Sequence, residues 1–412
     1  MTSQLLFYVI IAIIIINYLI DKLLDYLNAQ HFNDAVPPLL EDVYNKEEYQ
    51  KSQEYKKENY KFSTLVSTFS IIITLAFFLF DGFAFVDKIA RNLSNNEIII
   101  SLIFFGIIMI GSDLLTLPFS YYQNFVIEKK YGFNKSTKKL FFIDKVKGWL
   151  LMIVLGGAIL TTIMWFYQLT GKNFWIYAWA LVAVFSIFMT MFYSTLVVPL
   201  FNKQTLLEDG ELKTELEKFA KKVGFSLNKI FVIDGSKRST KANAYFTGFG
   251  KKKRIVLYDT LINDLETDEI VAVLAHEIGH YKKNHVIFNM IASILLTGLT
   301  LYILSFFIDS KLLANALAVE QPSFHIGLIA FGILYTPISE ITGLVMNYFS
   351  RMFEYQADNY AKNYFDAKAL ITSLKKLSKN SLSNLTPHKT YVFMHYSHPT
   401  LLQRVQNLLS AS

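Results

Sequence analysis

Apolar residues run almost unbroken through seven stretches of the chain, 4–20, 63–85, 98–120, 148–168, 174–198, 286–308 and 325–349. At a rise of ~1.5 Å per residue each reaches across the ~30 Å hydrocarbon core of a bilayer, the first only barely. The pattern predicts seven transmembrane helices. The first run is expected to stay as a span, because only Met-Thr-Ser-Gln precedes it and no small-residue cleavage site follows. Asp113, Asn289 and Glu340 lie at membrane depth, where polar groups face a protein interior or a wet cavity. Pro118 and Pro337 sit near them as candidate kinks or helix ends.

Between the runs the pattern changes. The stretch 31–62, with "EEYQKSQEYKKENYKF", is charged and tyrosine-rich and reads as a solvated helix at the membrane rim. In 200–285, "DGELKTELEKFAKKVGF" has helical periodicity and stops at Gly224. "KIFVID", "NAYFTGF" and "RIVLYD" are short β-branched and aromatic runs between Gly and Lys clusters, so three strands are expected. "TDEIVAVLAHEIGH" starts a helix, with Thr267 as N-cap and Asp268 and Glu269 in its first turn. That helix is expected to run on into the sixth span. The chain thus divides into spans 1–5 with their loops (1–200), a segment of mixed helix and strand (201–285), spans 6 and 7 (286–349) and a helical tail (350–412).

Composition removes other classes. With 53% hydrophobic residues and a mean hydropathy of +0.33, the length of 412 residues does not mean two or three soluble domains. The absence of cysteine excludes disulfides and thiolate metal sites. A net charge of +7 in a soluble protein would raise the question of nucleic acid; here it reports topology and anionic lipid, and no nucleic-acid partner is expected. Lys and Arg crowd alternate loops. Lys46, Lys51, Lys56, Lys57 and Lys61 follow span 1, and Lys129, Lys130, Lys135, Lys138, Lys139, Lys145 and Lys147 follow span 3. Only Lys88 and Arg91, Lys172, and Lys311 follow spans 2, 4 and 6. The rich side is cytoplasmic, which puts the N-terminus outside and the C-terminus in the cytoplasm.

The candidate chemistry lies in "VLAHEIGHYKKNH". His276 and His280, four apart on a helix, project from one face and can share one metal ion, while Glu277 can approach the open coordination position. This is the H-E-x-x-H arrangement, in which two neutral imidazoles hold Zn²⁺ and the glutamate takes a proton from water. With 8 histidines in 412 residues the pattern is rare by chance. A third ligand is required, and His285, His388, His395, His398 and cytoplasmic carboxylates are the candidates. His285 lies half a turn off the face of His276 if the helix continues, and reads as interfacial. His31, His325 and His388 read as solvated or interfacial. In "SRMFEYQADNYA", Glu354 and Asp358 are again four apart at the end of span 7; one can ligate the ion and the other can accept a ring N–H of a ligand histidine.

"HEIGH" followed far downstream by "EYQAD" resembles the M48 metallopeptidases. "EEYQKSQEY", "EKKYGFNKST", "PLFNKQTLLEDGEL", "GSKRSTKANAYFTGFGKKKRIVLYDTLI" and "SHPTLLQRV" extend the resemblance over nearly the whole chain to the seven-span Ste24-type CaaX prenyl proteases. The resemblance implies one Zn²⁺ per chain, with Glu354 as third ligand and Asp358 supporting a ligand histidine. It implies that Asn243 and Ala244 lie on a strand edge that pairs with substrate backbone. His398 would steady the oxyanion, and Arg404 would pair with a carboxylate of the site. Lys241 stands where the family is expected to have histidine. The implied fold is an all-α integral membrane protein of seven transmembrane helices forming a barrel around an intramembrane chamber. A small α/β zinc metallopeptidase domain sits on its cytoplasmic side.

The expected activity is zinc-dependent endoproteolysis of C-terminal CaaX peptides of prenylated proteins, or of membrane-associated peptides more widely. The expected partners are such a peptide and the lipid bilayer, with the chain a monomer. A bacterial cytoplasmic membrane is favoured, or the endoplasmic reticulum membrane in a eukaryote. The alternatives are a broad quality-control metalloprotease like the HtpX branch, and a seven-span carrier or receptor with structural zinc.

Overall fold

The computed structural model describes residues 2–227, 229–247 and 254–410. The end of the expected strand "NAYFTGF", at Gly248 and Phe249, lies outside the described residues. Helices are α1 (Ser3–Gln30), α2 (Lys46–Leu79), α3 (Gly82–Leu93), α4 (Glu97–Tyr122), α5 (Lys138–Leu151), α6 (Gly157–Thr170), α7 (Phe174–Leu196), α8 (Val198–Phe201) and α9 (Glu211–Lys222). They continue as α10 (Asp259–Asp264), α11 (Thr267–Lys282), α12 (His285–Ser305), α13 (Lys311–Ala316), α14 (Phe324–Tyr364), α15 (Ala367–Asn380), α16 (Lys389–His395) and α17 (Leu401–Leu409).

Among the described residues, six helical segments are long and apolar enough to span a bilayer, and one of them, Lys138–Phe201, is 64 residues long. It reverses at Gly171, whose φ of 54° glycine adopts without the usual strain, and its arms α6 and α7 pack together. Counted by crossings, this gives the seven spans expected. Of the charged stretch 31–62, expected as one helix, only the part from Lys46 is α-helical: α2 starts there behind a capping box of Asn45 and Glu48 and runs unbroken into the span, while 31–45 is turns and a short 3-10 turn at Pro38–Leu40. Neither Pro118 nor Pro337 ends its helix; α4 passes through Pro118 and slackens into a π-helical turn at Gln123–Glu128.

The spans form a ring. α1 packs on α2 and α14, α3 joins α2 to α4, and the series α4, α6, α7, α12, α14 closes it. Only 6% to 17% of the residues in the apolar windows are buried. A solid bundle would bury a full stripe of each helix, so this ring is hollow. Polar Asn289, Ser293, Thr297 and Thr300 recur along α12 at helical spacing, and the last three line an open cavity with Met346 of α14. Asp113 is held within the wall, accepting from Lys145 Nζ at 2.7 Å and Trp149 Nε1 at 2.8 Å.

At one end, α3 and α13 plug the ring around Leu6, Phe104, Leu313 and Ile326. His325 belongs to this plug. It is fully buried, correcting its assignment to a solvated or interfacial position. Its Nε2 is 2.7 Å from Asp87 and its Nδ1 2.8 Å from Ser101 Oγ, and Arg91 braces Asp87 in turn. A polar side chain buried this deeply persists only with such partners.

At the other end lies a four-stranded sheet of β1 (Gln204–Leu206), β2 (Ile230–Ile233), β3 (Ala244–Thr247) and β4 (Arg254–Tyr258), in the order β1-β2-β4-β3. β1 pairs antiparallel with β2, β2 parallel with β4, and β3 antiparallel with β4 in the register Ala244↔Leu257. The three expected strands are present; β1 is an addition too short to carry a period. One face of the sheet buries Ile230, Ile255 and Leu257 against Phe219 of α9 and Leu274 and Ile278 of α11. The other places Phe231, Val256 and Tyr245 on Val198 at the end of the spans.

Candidate active site

α11 is central to this end of the molecule. Its N-cap is Glu266 rather than Thr267, in a capping box with Glu269, whose carboxylate also accepts from Lys376 of α15 at 2.8 Å. The helix does not continue into the sixth span. It ends at Lys282, Asn284 turns through a left-handed φ of 60°, and α12 starts afresh at His285. Asparagine tolerates this conformation better than most residues.

α11 crosses α14 at close range. A Cβ built on Gly279 would lie 3.0 Å from Ala357 Cα and from Tyr360 Cβ, so only glycine fits without displacement. The buried residues Ala357 and Ala361 supply the facing surface. This contact brings Glu354 of α14 under the two histidines. His276 Nε2 and His280 Nε2 are 3.1 Å apart, with Glu354 Oε2 and Oε1 at 3.4 and 3.2 Å from them respectively.

The outer ring nitrogens are both engaged. His276 Nδ1 is 2.9 Å from Asp358 Oδ1, and His280 Nδ1 is 3.0 Å from His285 Nδ1. If each outer nitrogen donates, both Nε2 atoms are bare acceptors facing one another and Glu354. Such a set repels itself unless a cation lies between. Glu354 Oε2 is moreover buried without a hydrogen-bond donor. Burial and the Arg404 guanidinium act against a charged His276, yet the hydrogen bonds to Asp358 and Glu354 outweigh them and raise its pKa to about 9, so that without a metal a proton on Nε2 takes the place of the cation beside Glu354. His276, His280 and Glu354 therefore fit a bound metal ion, with all three ligand atoms within 4.8 Å of one another.

Arg404 of α17 grips Asp358 through Nε at 2.9 Å and Nη2 at 2.5 Å, and its Nη1 is 3.5 Å from Glu354 Oε2. His398 brings Nε2 to 3.2 Å from Glu354 Oε1. Glu277 lines the same cavity of about 500 Å³, and its carboxylate makes no hydrogen bond or ion pair among the described residues. Asn243 and Ala244 line that cavity as well, at the start of the edge strand β3. All nine residues singled out in the sequence, Asn243, Ala244, His276, Glu277, His280, Glu354, Asp358, His398 and Arg404, thus meet at one place.

His285 is a correction. It is buried at 3% exposure, stacked on Phe353 with ring centroids 4.1 Å apart, and its Nε2 is 3.0 Å from Gln356 Oε1. It supports His280 as Asp358 supports His276. On one unbroken helix His285 would lie half a turn off the face of His276; the left-handed turn at Asn284 resets the phase and brings it to His280. Lys241, where histidine was expected, ion-pairs with Glu128 at 2.9 Å and lies 4.5 Å from the Phe133 ring centroid. Tyr55 of α2 donates to the same carboxylate at 2.6 Å. The segment leading into β3 is thereby tied to the spans.

A hollow ring of membrane helices carrying two helix-borne histidines over a carboxylate as third ligand, with Glu277 unpaired among the described residues beside them, defines the class as a membrane metallopeptidase. The family models agree. Residues 25–203 match the model described as "CAAX prenyl protease N-terminal, five membrane helices", and residues 206–412 match peptidase family M48, to which this chain belongs. A "CAAX prenyl protease 1 homolog" of Oryza sativa subsp. japonica is 38% identical, over 98% of this chain and 97% of that one. The "CAAX prenyl protease 1" of Saccharomyces cerevisiae is 37% identical, over 94% and 92%. The crystal structure of S. mikatae Ste24p superposes with a TM-score of 0.93 at 37% identity, covering 98% of this chain and 99% of that one. These relatives are eukaryotic and lend no support to a bacterial membrane.

Proposed function

We propose that this chain is a zinc endopeptidase that cleaves C-terminal CaaX peptides of prenylated proteins at the mouth of its intramembrane chamber. The observation that carries the reading is the convergence of three ligand atoms and the unpaired Glu277 beside an edge strand. Zinc bonds of ~2.0–2.1 Å to nitrogen and oxygen imply ligand atoms about 3.3 Å apart in a tetrahedron. The three separations of 3.1, 3.2 and 3.4 Å lie around that value. When bound, the ion polarises the scissile carbonyl and lowers the pKa of water at its open position.

The protein's own residues do the rest. β3 offers its open edge to an extended peptide, with Asn243 and Ala244 nearest the cavity, and fixes the scissile bond by backbone pairing. Glu277 takes the proton of the attacking water and delivers a proton to the leaving amine. His398, 61% exposed at its side chain, donates to the oxygen on which charge develops. Arg404 and Asp358 lock the ring of His276, and His285 locks that of His280.

The chamber supplies room for a lipid tail beside the wet site, and the bias of lysine and arginine towards the loops on the sheet side favours a cytoplasmic position for the sheet. Cleavage of a prenylated and an unprenylated CaaX peptide by wild type and Glu277→Gln tests the reading. Glu277→Gln is expected to lose activity by about 10²–10⁴-fold while keeping its zinc. Full activity in that variant sinks the mechanism, and equal cleavage of both peptides replaces the CaaX substrate by membrane-associated peptides in general.

A further inference from the structure

A groove of about 600 Å³ opens on the sheet side of the molecule, where the spans end. It lies between the membrane-facing face of the sheet and the end of α7 and α8. Four cations line it: Lys147 from α5, Lys203 before β1, Lys237 after β2 and Arg254 at the start of β4. No carboxylate belongs to its lining, and none of the four makes an ion pair among the described residues. Lys147 donates to the carbonyl of Leu200 at 2.6 Å, and Arg254 lies 4.8 Å from the Phe231 ring centroid. The acids closest in the chain are engaged elsewhere. Asp144 holds Arg238. Asp234 accepts from Asn202 Nδ2 and from the Lys203 amide, both in the lining, so this one carboxylate lies at the groove's edge, hydrogen-bonded to amides and not to the four cations.

A second lysine-rich groove, between α15 and α17, shows the ordinary way to manage such charge. There Lys375, Lys376 and Lys379 are neutralised by Asp42, Glu269 and Glu48 at 2.6, 2.8 and 2.9 Å. The first groove sets four cations, none ion-paired among the described residues, against the single carboxylate of Asp234 at its edge, and a bound anion relieves the remaining repulsion. Its lower wall is apolar. Leu200 and Phe201 line it, and Leu196 and Tyr193, 52% and 49% exposed, continue that surface down the end of α7.

From this geometry we infer that the groove binds the phosphate headgroup of an anionic phospholipid, with the acyl chains lying along α7. The site is separate from the catalytic cavity and does not depend on the substrate proposed above. Cations set above an apolar wall at a membrane boundary match the two halves of such a lipid, whereas a free phosphate would use only the cations.

The test is native mass spectrometry of the full chain released from phosphatidylcholine vesicles doped with phosphatidylglycerol. Wild type is expected to retain phosphatidylglycerol over phosphatidylcholine. The double variant Lys203→Gln/Lys237→Gln, both residues exposed, should retain it roughly tenfold less. Lys213→Gln/Lys218→Gln removes the same charge from α9, where each lysine already has an acid partner, and should retain it like wild type. A thermal melt confirms that each variant is folded, and Lys147→Gln serves as a second probe should the double variant fail. Equal retention in wild type and the groove variants, or an equal loss in the α9 control, overturns the site. Retention of inorganic phosphate without phosphatidylglycerol overturns the lipid assignment.

Discussion

Gly279 sets the distance between the two helices that build the metal centre, because its missing Cβ lets α11 touch Ala357 of α14. Gly279→Ala must push α14 away, and overpacking of this kind costs about 1–3 kcal/mol. The expected result is a loss of bound zinc and of peptide hydrolysis together, read by metal analysis and a peptidase assay. A variant with full zinc and full activity would mean that Glu354 does not depend on this contact. His285 gives a second prediction at the same scale. Removing a partner that orients a ligand histidine weakens metal binding by about 10–100-fold, so His285→Ala should release zinc to a chelator at correspondingly lower concentration. Unchanged chelator sensitivity would make the pair of 3.0 Å contacts at His285 incidental. His276, Glu277 and His280 were legible because they share one turn of one helix, so spacing alone brings them together. Glu354 and Asp358 were legible from spacing only as a carboxylate pair; choosing between them needed the family resemblance. His285 was not legible, since its position depends on the backbone at Asn284.

At the scale of elements, the catalytic helix is a short soluble piece docked on a membrane body. The chain leaves α11 through Lys283 and Asn284 and re-enters helix at His285, which turns the imidazole back towards His280. The left-handed Asn284 is therefore part of the site's construction. Asn284→Gly should leave stability and activity near wild type, because glycine takes φ of 60° freely. Asn284→Val forces a β-branched side chain into that conformation at a cost of roughly 1–2 kcal/mol, and should lower both the melting temperature and zinc retention. If valine is tolerated as well as glycine, the turn has no role in the site. The sequence announced β2, β3 and β4 by their β-branched and aromatic runs, but not β1. "QTL" has three residues and acquires strand geometry only by pairing with Phe231–Ile233. The same dependence on context hid the capping box at Glu266, where a glutamate does the work expected of Thr267.

At the scale of the whole molecule, the hollow ring explains how hydrolysis is carried out inside a membrane protein. The helices meet their neighbours along narrow seams and leave broad faces free, some towards lipid and some towards the interior. On α12 the two kinds of face are separable. Thr297 lines the cavity between α12 and α14 among Ser293 and Thr300, while Leu295, two residues away and 58% exposed, points about 200° from it. The seven runs of apolar residues announced the spans but not this division, because the polar positions that mark one face of α12, Asn289, Ser293, Thr297 and Thr300, are too few and too small to interrupt its apolar run. The chain has no cysteine of its own, so single cysteines report their surroundings directly. With the full chain in vesicles, Thr297→Cys should react with a small water-soluble maleimide and Leu295→Cys should not, since a thiol reacts through its thiolate, which forms in water and not in hydrocarbon. A bulky prenylated peptide bound to the Glu277→Gln variant should slow the labelling of Thr297→Cys if the lipid tail lies in the chamber. If Thr297→Cys labels no faster than Leu295→Cys and both stay unreacted, the space inside the ring is not water-filled, and the peptide would then have to reach the zinc from the sheet side alone.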